Sequence, residues 1–413
     1  MDSAHAALTD TTERIRAAAA RGEPLRIRGG GTKDFYGQAL NGTVLDTRAL
    51  TGITSYEPSE LVVTVRAGTP LAELEAALAE HGQCLPFEPP HFSAGHRLES
   101  KDAPPHFSAA HRLESKDVPP HFSAGSTVGG MVAAGLSGPA RASAGGVRDF
   151  MLGVTLLNGK AELLTFGGQV MKNVAGYDVS RLMAGSMGTL GLLVDVSLKV
   201  LPVAPAEATL RFEMDQATAL RQLNTWGGQP LPLNASCWVH EDSSTSGRKD
   251  VPGTLYLRLR GAVAAVEAAC RTLAAQHGGQ RLDDAIAVPD WTACRNQQLP
   301  WFTARAGRDL WRLSLPQTAP VLDLPEPPLV EWHGALRWVS VDPADTAAAA
   351  RIRAAAAQAG GNATLFIANN DQPMRTTARF DALKPPLDRI HRDLKKQFDP
   401  ASIFNPGRMY SDF

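Results

Sequence analysis

The sequence predicts an α+β fold divided into two domains and a tail. Three observations lead there. The chain has 413 residues, more than one ordinary core usually serves. Strand-patterned and helix-patterned runs follow one another in mixed order, without the strict βαβ alternation of a parallel sheet. A composition break falls at Pro202-Val203-Ala204-Pro205. It divides residues 1–203 from a second α+β unit at 204–375, and 376–413 follow as a C-terminal segment.

The elements are read in chain order. Residues 4–20 pattern as a helix, with Ser3 as N-cap and Leu8, Thr12 and Ile15 on one face. Leu25–Arg28 is a short strand running into Gly29-Gly30-Gly31, and Thr43–Asp46 and Leu61–Val65 are strands. Thr69 as N-cap and Pro70 at the first helical position open a helix through His81, with Leu71, Leu74 and Leu78 at helical spacing. A small-residue helix spans Val132–Leu136. Strands recur at Gly153–Leu157 and Leu192–Val200. Beyond the break, residues 206–214, Thr254–Leu259, Leu310–Leu315 and Leu336–Val341 read as strands. Ala262–Ala275 and Ala347–Ala357 read as helices. In the tail, Leu387, Ile390 and Leu394 mark an amphipathic helix.

Composition excludes several classes. Lys+Arg number 41 and Asp+Glu 42, a net charge of −1, so the basic excess of a nucleic-acid binder is missing. No apolar run reaches the ~20 residues of a membrane helix. The opening Met-Asp-Ser-Ala-His does not read as a secretory leader. Cys84, Cys237, Cys270 and Cys294 lie far apart with no C-x-x-C, which supports neither a zinc nor an iron–sulfur site. No metal site is expected, and a reducing cytoplasm is the simplest compartment.

An internal repeat interrupts the first domain. Pro89-Pro90-His91-Phe92-Ser93-Ala94 recurs at Pro104–Ala109 and Pro119–Ala124, a period of 15 residues. Such units are too few and too short for a solenoid. They read as a tandem duplication within a loop, and a metal tract at His96/Glu99 and His111/Glu114 is disfavoured by the neighbouring Arg97 and Lys101.

The glycines carry the chemical signal. Fifteen of the 37 fall between Gly125 and Gly191. In the run Arg28-Gly29-Gly30-Gly31-Thr32-Lys33, successive N–H groups without Cβ obstruction can form an anion nest, with a hydroxyl and a cation beside it. The alternative is a tight surface turn. It is neither a Walker A loop nor a dinucleotide fingerprint, because the third glycine position of the latter is Asp34. Ser126-Thr127-Val128-Gly129-Gly130 is a second candidate cradle, opening a helix whose N-terminus would attract an anion, or else simply a helix cap. Two such loops together point to a diphosphate. Gly185, Gly188 and Gly191, with Thr189 among them, suggest backbone passing a flat ligand or a packed turn. His240, His277, His333 and His391 lack nearby histidine partners and read as hydrogen-bonded or surface side chains.

These segments, in this order, resemble the FAD-binding domain of vanillyl-alcohol-oxidase-type flavoproteins, the PCMH-type fold. More narrowly, the chain resembles the FAD-binding subunits of bacterial glycolate oxidases. The likeness rests on Pro86–Phe92, Gly129–Pro139, Val147-Arg148-Asp149, Lys172–Asp178 and Phe404–Arg408, with Glu331–Trp338 beside them.

The resemblance implies that Arg28, Gly29, Gly30, Gly31, Thr32 and Lys33 wrap the FAD pyrophosphate, and that Ser126, Thr127, Gly129 and Gly130 complete the cradle. Gly138, Gly188, Thr189, Gly191 and Val194 would line the flavin. Asn405 would reach the isoalloxazine as the tail packs back on the FAD domain. The first loop has no histidine for a covalent tether, so FAD is expected to be noncovalent. The family has one Pro-Pro-His-Phe; this chain has three, which leaves open the copy that lies at the cofactor.

No Gly-Asp-Gly-Asn-x-x-His-like string of the metal-dependent relatives occurs. The expectation is therefore a subunit, with the catalytic residues unassigned. It would act in a complex with a catalytic flavoprotein and an iron–sulfur subunit, oxidising glycolate to glyoxylate, cytoplasmic and peripheral to the inner face of the membrane through its partners. Two readings stand beside it: a self-sufficient 2-hydroxy-acid dehydrogenase, such as one for D-lactate, and a scaffold that has lost FAD.

Overall fold

The period-2 run Val62-Val63-Thr64-Val65 becomes one of the inner strands of a five-stranded antiparallel sheet. The computed structural model describes residues 3–38, 40–92, 125–168, 177–240, 253–369 and 377–411. The sheet order is β3 (Ile53–Glu57), β4 (Val62–Arg66), β8 (Leu192–Lys199), β6 (Met151–Leu157), β7 (Leu163–Gly167). Helix α2 (Leu71–Glu80) lays Leu71, Leu74 and Leu78 against Val63, Val65, Val196 and Leu198. Each fully buried leucine contributes roughly 1.5–3 kcal/mol of transfer free energy. Helix α3 (Val128–Ala134) adds Val128, Met131 and Val132 to the same core.

A smaller lobe precedes it. Strands β1 (Leu25–Arg28) and β2 (Thr43–Asp46) pair in parallel. Helix α1 (Ser3–Arg21) covers them with Ile15 and Ala18 over Leu25 and Leu45. The tail closes this lobe: Phe404 bridges Leu25 in parallel, and Leu25 N–H donates to Ile403 O at 2.7 Å. Two-residue strands β5 (Gln83–Cys84) and β9 (Leu201–Pro202) pair near the chain's exit from the first domain.

The second unit is an eight-stranded antiparallel sheet. It comprises β10 (Ala206–Glu213), β11 (Leu233–Val239), β12 (Thr254–Gly261), β13 (Gln280–Arg281), β14 (Asp309–Ser314), β15 (Leu329–Glu331), β16 (Leu336–Val341) and β17 (Asn362–Ile367). Their order is β13-β10-β12-β11-β15-β16-β14-β17. Alternation divides each strand between two faces. Leu255, Leu257, Trp311 and Leu313 turn to a helical layer that includes Gln216–Gly227, Val263–His277 and Ala348–Gln358. Tyr256, Cys237, Trp338 and Phe366 turn the other way and meet Tyr36, Phe92 and Leu136 of the first domain.

Most elements lie within a residue or two of their expected bounds, but α3 starts at Val128, four residues before the expected Val132, and the cap of α2 differs. Pro70 is the N-cap, and the Thr69 hydroxyl instead accepts from Gly52 N–H at 2.9 Å. The tertiary bond has displaced the local one. Strands β3, β5, β7, β9, β11, β13, β15 and β17, and helices Gln216–Gly227 and Asp284–Arg295, do not stand out in the sequence pattern. All four cysteines are free thiols. Among the described residues no helix is long and apolar enough to cross a membrane.

Of the three Pro-Pro-His-Phe copies, the first is packed into the fold. Phe92 meets Phe35 edge-on at 5.5 Å. The His91 backbone N–H donates to Asn296 Oδ1 at 2.9 Å, and its Nε2 lies 2.9 Å from Glu75. Both later copies, the His96–Glu99 and His111–Glu114 pairs, and Lys172–Gly176 lie outside the described residues.

Candidate functional site

The end of β1 opens onto a cleft of about 680 Å³ lined by Arg26–Asp34, Thr127, Gly130, Ala133, Met187, Asn405 and Arg408, among others. It shares Gly29, Gly130, Met187 and Asn405 with an inner space of about 410 Å³, which adds Gly129, Gly188, Gly191 and Leu193.

The triple-glycine loop is shaped by its neighbours. A Cβ on Gly30 would lie 1.1 Å from the Gly125 carbonyl oxygen, and one on Gly29 would lie 2.3 Å from Thr127 Oγ1. The two loops touch through backbone, and the Thr32 and Ser126 hydroxyls join them at 3.1 Å. Among the described residues, no acceptor takes the N–H groups of Gly29 to Lys33. That is a row of donors left for a ligand.

Charge at the loop is unevenly neutralised. Arg28 Nε donates to Asp34 at 2.9 Å, and Arg26 lies 3.8 Å from the same carboxylate. Lys33 has no carboxylate partner among the described residues. Its contacts are the Thr32 hydroxyl at 3.4 Å and the Phe92 ring at 5.9 Å. Burial pulls its pKa down to about 8. A cation so placed lacks an anion, and a diphosphate would supply one. The residues present therefore fit FAD on two counts: free N–H groups and an unpaired ammonium.

The second loop plays a different part from the one its sequence suggests. The N–H groups opening α3 are already spent: Val128 on Thr69 O (3.0 Å), Gly129 on Ala67 O (2.7 Å) and Gly130 on Thr127 Oγ1 (3.2 Å). The capping reading holds there. Thr127, Gly129 and Gly130 contribute close-fitting wall, and Ser126 contributes the link to Thr32.

Asn405 is likewise spent on the protein. At φ 42°, its Oδ1 accepts from Ile27 N–H at 2.8 Å and its Nδ2 donates to Met187 O at 2.7 Å. It pins β1 to the loop that carries Gly188, while still lining both spaces. A Cβ on Gly188 would come 2.6 Å from that amide.

Besides Ser126, three expected residues stand off the cleft lining. Val194 packs in the core of the small lobe. The Thr189 hydroxyl donates back to Ser186 O at 2.7 Å. Gly138 lies on a separate cavity, its carbonyl taken by Trp332 Nε1 at 2.9 Å.

Two basic residues of the tail hold the site together without a role legible in the sequence. Arg408 donates to Lys33 O (3.1 Å), Asp34 O (3.0 Å), Gln38 O (2.8 Å) and Tyr36 O, so it staples the loop from outside. Lys395 is buried and donates to Thr189 O, Asp399 and Phe404 O. The string Phe404–Arg408 was the available signal for the first; nothing local marks the second.

A two-lobed α+β domain with a Gly-rich nest, under a large antiparallel cap sheet, defines a PCMH-type FAD-binding flavoprotein. Residues 8–96 match the family described as "FAD binding domain". The glycolate oxidase subunit GlcE of Escherichia coli is 40% identical over 400 residues, covering 97% of this chain and 96% of that one. The glycolate oxidase subunit GlcD of Bacillus subtilis is 34% identical over 85 residues, 21% of this chain and 18% of that one. The solved structure of p-cresol methylhydroxylase with substrate bound superposes with a TM-score of 0.63 at 13% identity, covering 98% of this chain and 87% of that one. The chain belongs to the glycolate oxidase subunit GlcE family, within the FAD-dependent oxidoreductases.

Proposed function

We propose that this chain is the FAD-binding subunit of a glycolate oxidase complex, in which glycolate is oxidised to glyoxylate and electrons leave through the flavin to an iron–sulfur subunit. The observation that carries the reading is the 40% identity to GlcE across 97% of the chain, together with a Gly-rich cleft that fits a dinucleotide. When bound, FAD supplies the two-electron acceptor that no side chain can provide.

The chain's own residues bind and orient it. The N–H groups of Gly29 to Lys33 and the Lys33 ammonium hold the pyrophosphate. Gly188 and Gly191 let backbone approach the ring system, and Ala133, Met187 and Leu193 keep water from it. With no histidine in the loop, FAD is held noncovalently, so acid precipitation of the protein releases all of its flavin. A GlcD-like catalytic flavoprotein is the expected partner.

Co-purification tests the assembly. The tagged chain should bring down an untagged flavoprotein and an iron–sulfur protein, and should itself show a flavin spectrum. Dye reduction with glycolate by the isolated chain, at the rate of the assembled complex, would overturn the subunit reading. A flavin-free chain would overturn the cofactor assignment.

A further inference from the structure

Two of the four free thiols lie together on the domain-facing side of the cap sheet. Cys237, on β11, and Cys294, near the end of the helix Asp284–Arg295, are both buried in the same apolar cluster. Glu331, on β15, lies against both. Cys237 and Glu331 are register partners across the antiparallel β11–β15 pair. Side chains so paired share a face, with Cβ atoms about 4.5–5.5 Å apart. The Cys294 thiol donates to Glu331 Oε2 at 3.4 Å. The two thiols also act on one another, each being the leading influence on the other's ionisation. The remaining cysteines are elsewhere: Cys270 in the core under the helical layer, Cys84 on β5.

A buried thiol is ordinarily inert, because it keeps its proton. At rest both thiols fit that description. The Cys237 thiol, burial and the Glu331 charge push Cys294 well above the usual thiol range. Cys294 favours ionisation of Cys237, but burial with the Glu331 and Asp290 charges outweighs it. What sets the pair apart is a destination for the proton. Burial raises Glu331 to about 7, so near neutrality about half of the molecules carry it as carboxylate. Trp338 Nε1 holds its Oε1 at 2.7 Å, which leaves Oε2 to the Cys294 thiol. Cys294 also lines a small cavity beneath the Ser137-Gly138-Pro139 turn, with room for a molecule of about water's size. Hydrogen peroxide is of that size; alkylating reagents are larger.

We infer that Cys237 and Cys294 are a redox-active dithiol that hydrogen peroxide closes to a disulfide, with Glu331 as the base. Glu331 takes the Cys294 proton as the sulfur attacks one peroxide oxygen. An S–O bond forms, the O–O bond breaks, and the departing hydroxide takes the proton from Glu331 and leaves as water. The Cys237 sulfur then displaces the sulfenic oxygen. An S–S bond forms, the S–O bond breaks, and the Cys237 proton leaves in a second water. The two sulfurs lose two electrons and the peroxide gains them. The bridge ties β11 to the helix end beside Asn296, which holds the His91 backbone.

The test treats the full chain, as purified, with hydrogen peroxide at neutral pH, alkylates it in denaturant and maps the cysteine peptides by mass spectrometry. The expected product is a linked Cys237–Cys294 peptide, lighter by two hydrogens and restored by dithiothreitol, with Cys84 and Cys270 still alkylated. Iodoacetamide added to the folded chain should leave the pair untouched. Cys237→Ser should halt at a sulfenic acid on Cys294, trapped by dimedone in denaturant. Glu331→Gln should slow closure by about tenfold or more.

Cys237 and Cys294 recovered as thiols after Cys84 has been oxidised would overturn the inference. A linked peptide that forms only in urea would do the same. Closure at the parent rate in a folded Glu331→Gln protein would overturn the assignment of the base. The parent chain alone decides the first two outcomes, so a variant that fails to fold leaves neither open.

Discussion

Lys33 illustrates how one residue links burial to binding. Its pKa of about 8, below the ordinary value of about 10.4, means that the folded protein binds fewer protons than the unfolded chain between those two values. Its contribution to stability without ligand therefore rises with pH across that window and is absent below it. Ligand binding runs the other way. A diphosphate favours the charged ammonium, so FAD affinity should be level below pH 8 and weaken above it. Fluorescence titration of the apoprotein from pH 6.5 to 9.5 checks this, with Lys33→Met as the flat control, binding roughly tenfold or more weakly below pH 8. Arg26 and Arg28 both face Asp34 beside it, and Arg408, its pKa pulled down to about 10 by burial, stays mainly charged over the range. Gly30 carries a different lesson. Gly30→Val should abolish flavin retention, but because the new Cβ strikes the Gly125 carbonyl, the loops separate. A Gly30→Val protein purified with full flavin occupancy would refute the loop assignment. The sequence showed that glycine was required there; it could not show that a protein backbone, rather than a ligand, was the near neighbour.

Among the elements, the tail depends most on interactions that no local pattern announces. The helix Leu387–Phe398 presents Lys395 inward, where it meets Asp399 at 2.7 Å. Asp399 in turn accepts from Ile403 N–H and Phe404 N–H. This pair turns the chain so that Phe404 reaches Leu25 and Asn405 reaches Ile27. Removing one partner of a buried pair leaves a bare charge and costs about 3–5 kcal/mol, whereas replacing both with apolar groups costs far less. Asp399→Ala should therefore lower the denaturation midpoint by that measure and shed flavin as Asn405 is released. The double variant Lys395→Met/Asp399→Leu should recover part of the loss, the remainder being the cost of the Ile403 and Phe404 N–H groups and the Thr189 and Phe404 carbonyls left without these partners. Equal destabilisation by the single and double variants, in urea titrations, would contradict this account. The amphipathic stripe Leu387, Ile390, Leu394 made the helix legible, as period-2 runs made β4 and β8 legible. Strand β15 is three residues long, and the helix Asp284–Arg295 contains Pro289. Neither offers a window in which periodicity can be counted, and their packing partners decide them instead.

At the scale of the molecule, the cap sheet is registered on the FAD domain by charge. Burial alone would raise the Glu88 pKa, but Arg258 and Arg260 hold it below the usual carboxylate range. Both Glu88 oxygens meet Arg258 at 2.7 Å, and one accepts from Ala140 N–H at 3.1 Å. Glu88 directly precedes Pro89, so this lock also fixes the first Pro-Pro-His-Phe copy, with His91 on Asn296 and Phe92 in the domain interface. The repeat was plain in the sequence, yet its three copies are alike in every residue from proline to alanine, and only tertiary partners could choose among them. That choice yields a whole-chain prediction. Deleting Gly95–Ala124 removes two repeat lengths and joins Ala94 to Gly125, reproducing the Ala124-Gly125 junction of the native sequence. Every described contact of Glu88, His91 and Phe92 is retained. Shortening a loop also reduces the entropy of closing it, by about 0.6 kcal/mol for each halving where the chain is flexible. The deleted protein should keep full flavin occupancy and melt no lower than the parent. A lowered melting temperature, or flavin lost on gel filtration, would show that the duplicated segment is part of the folded framework and that the packed copy depends on it.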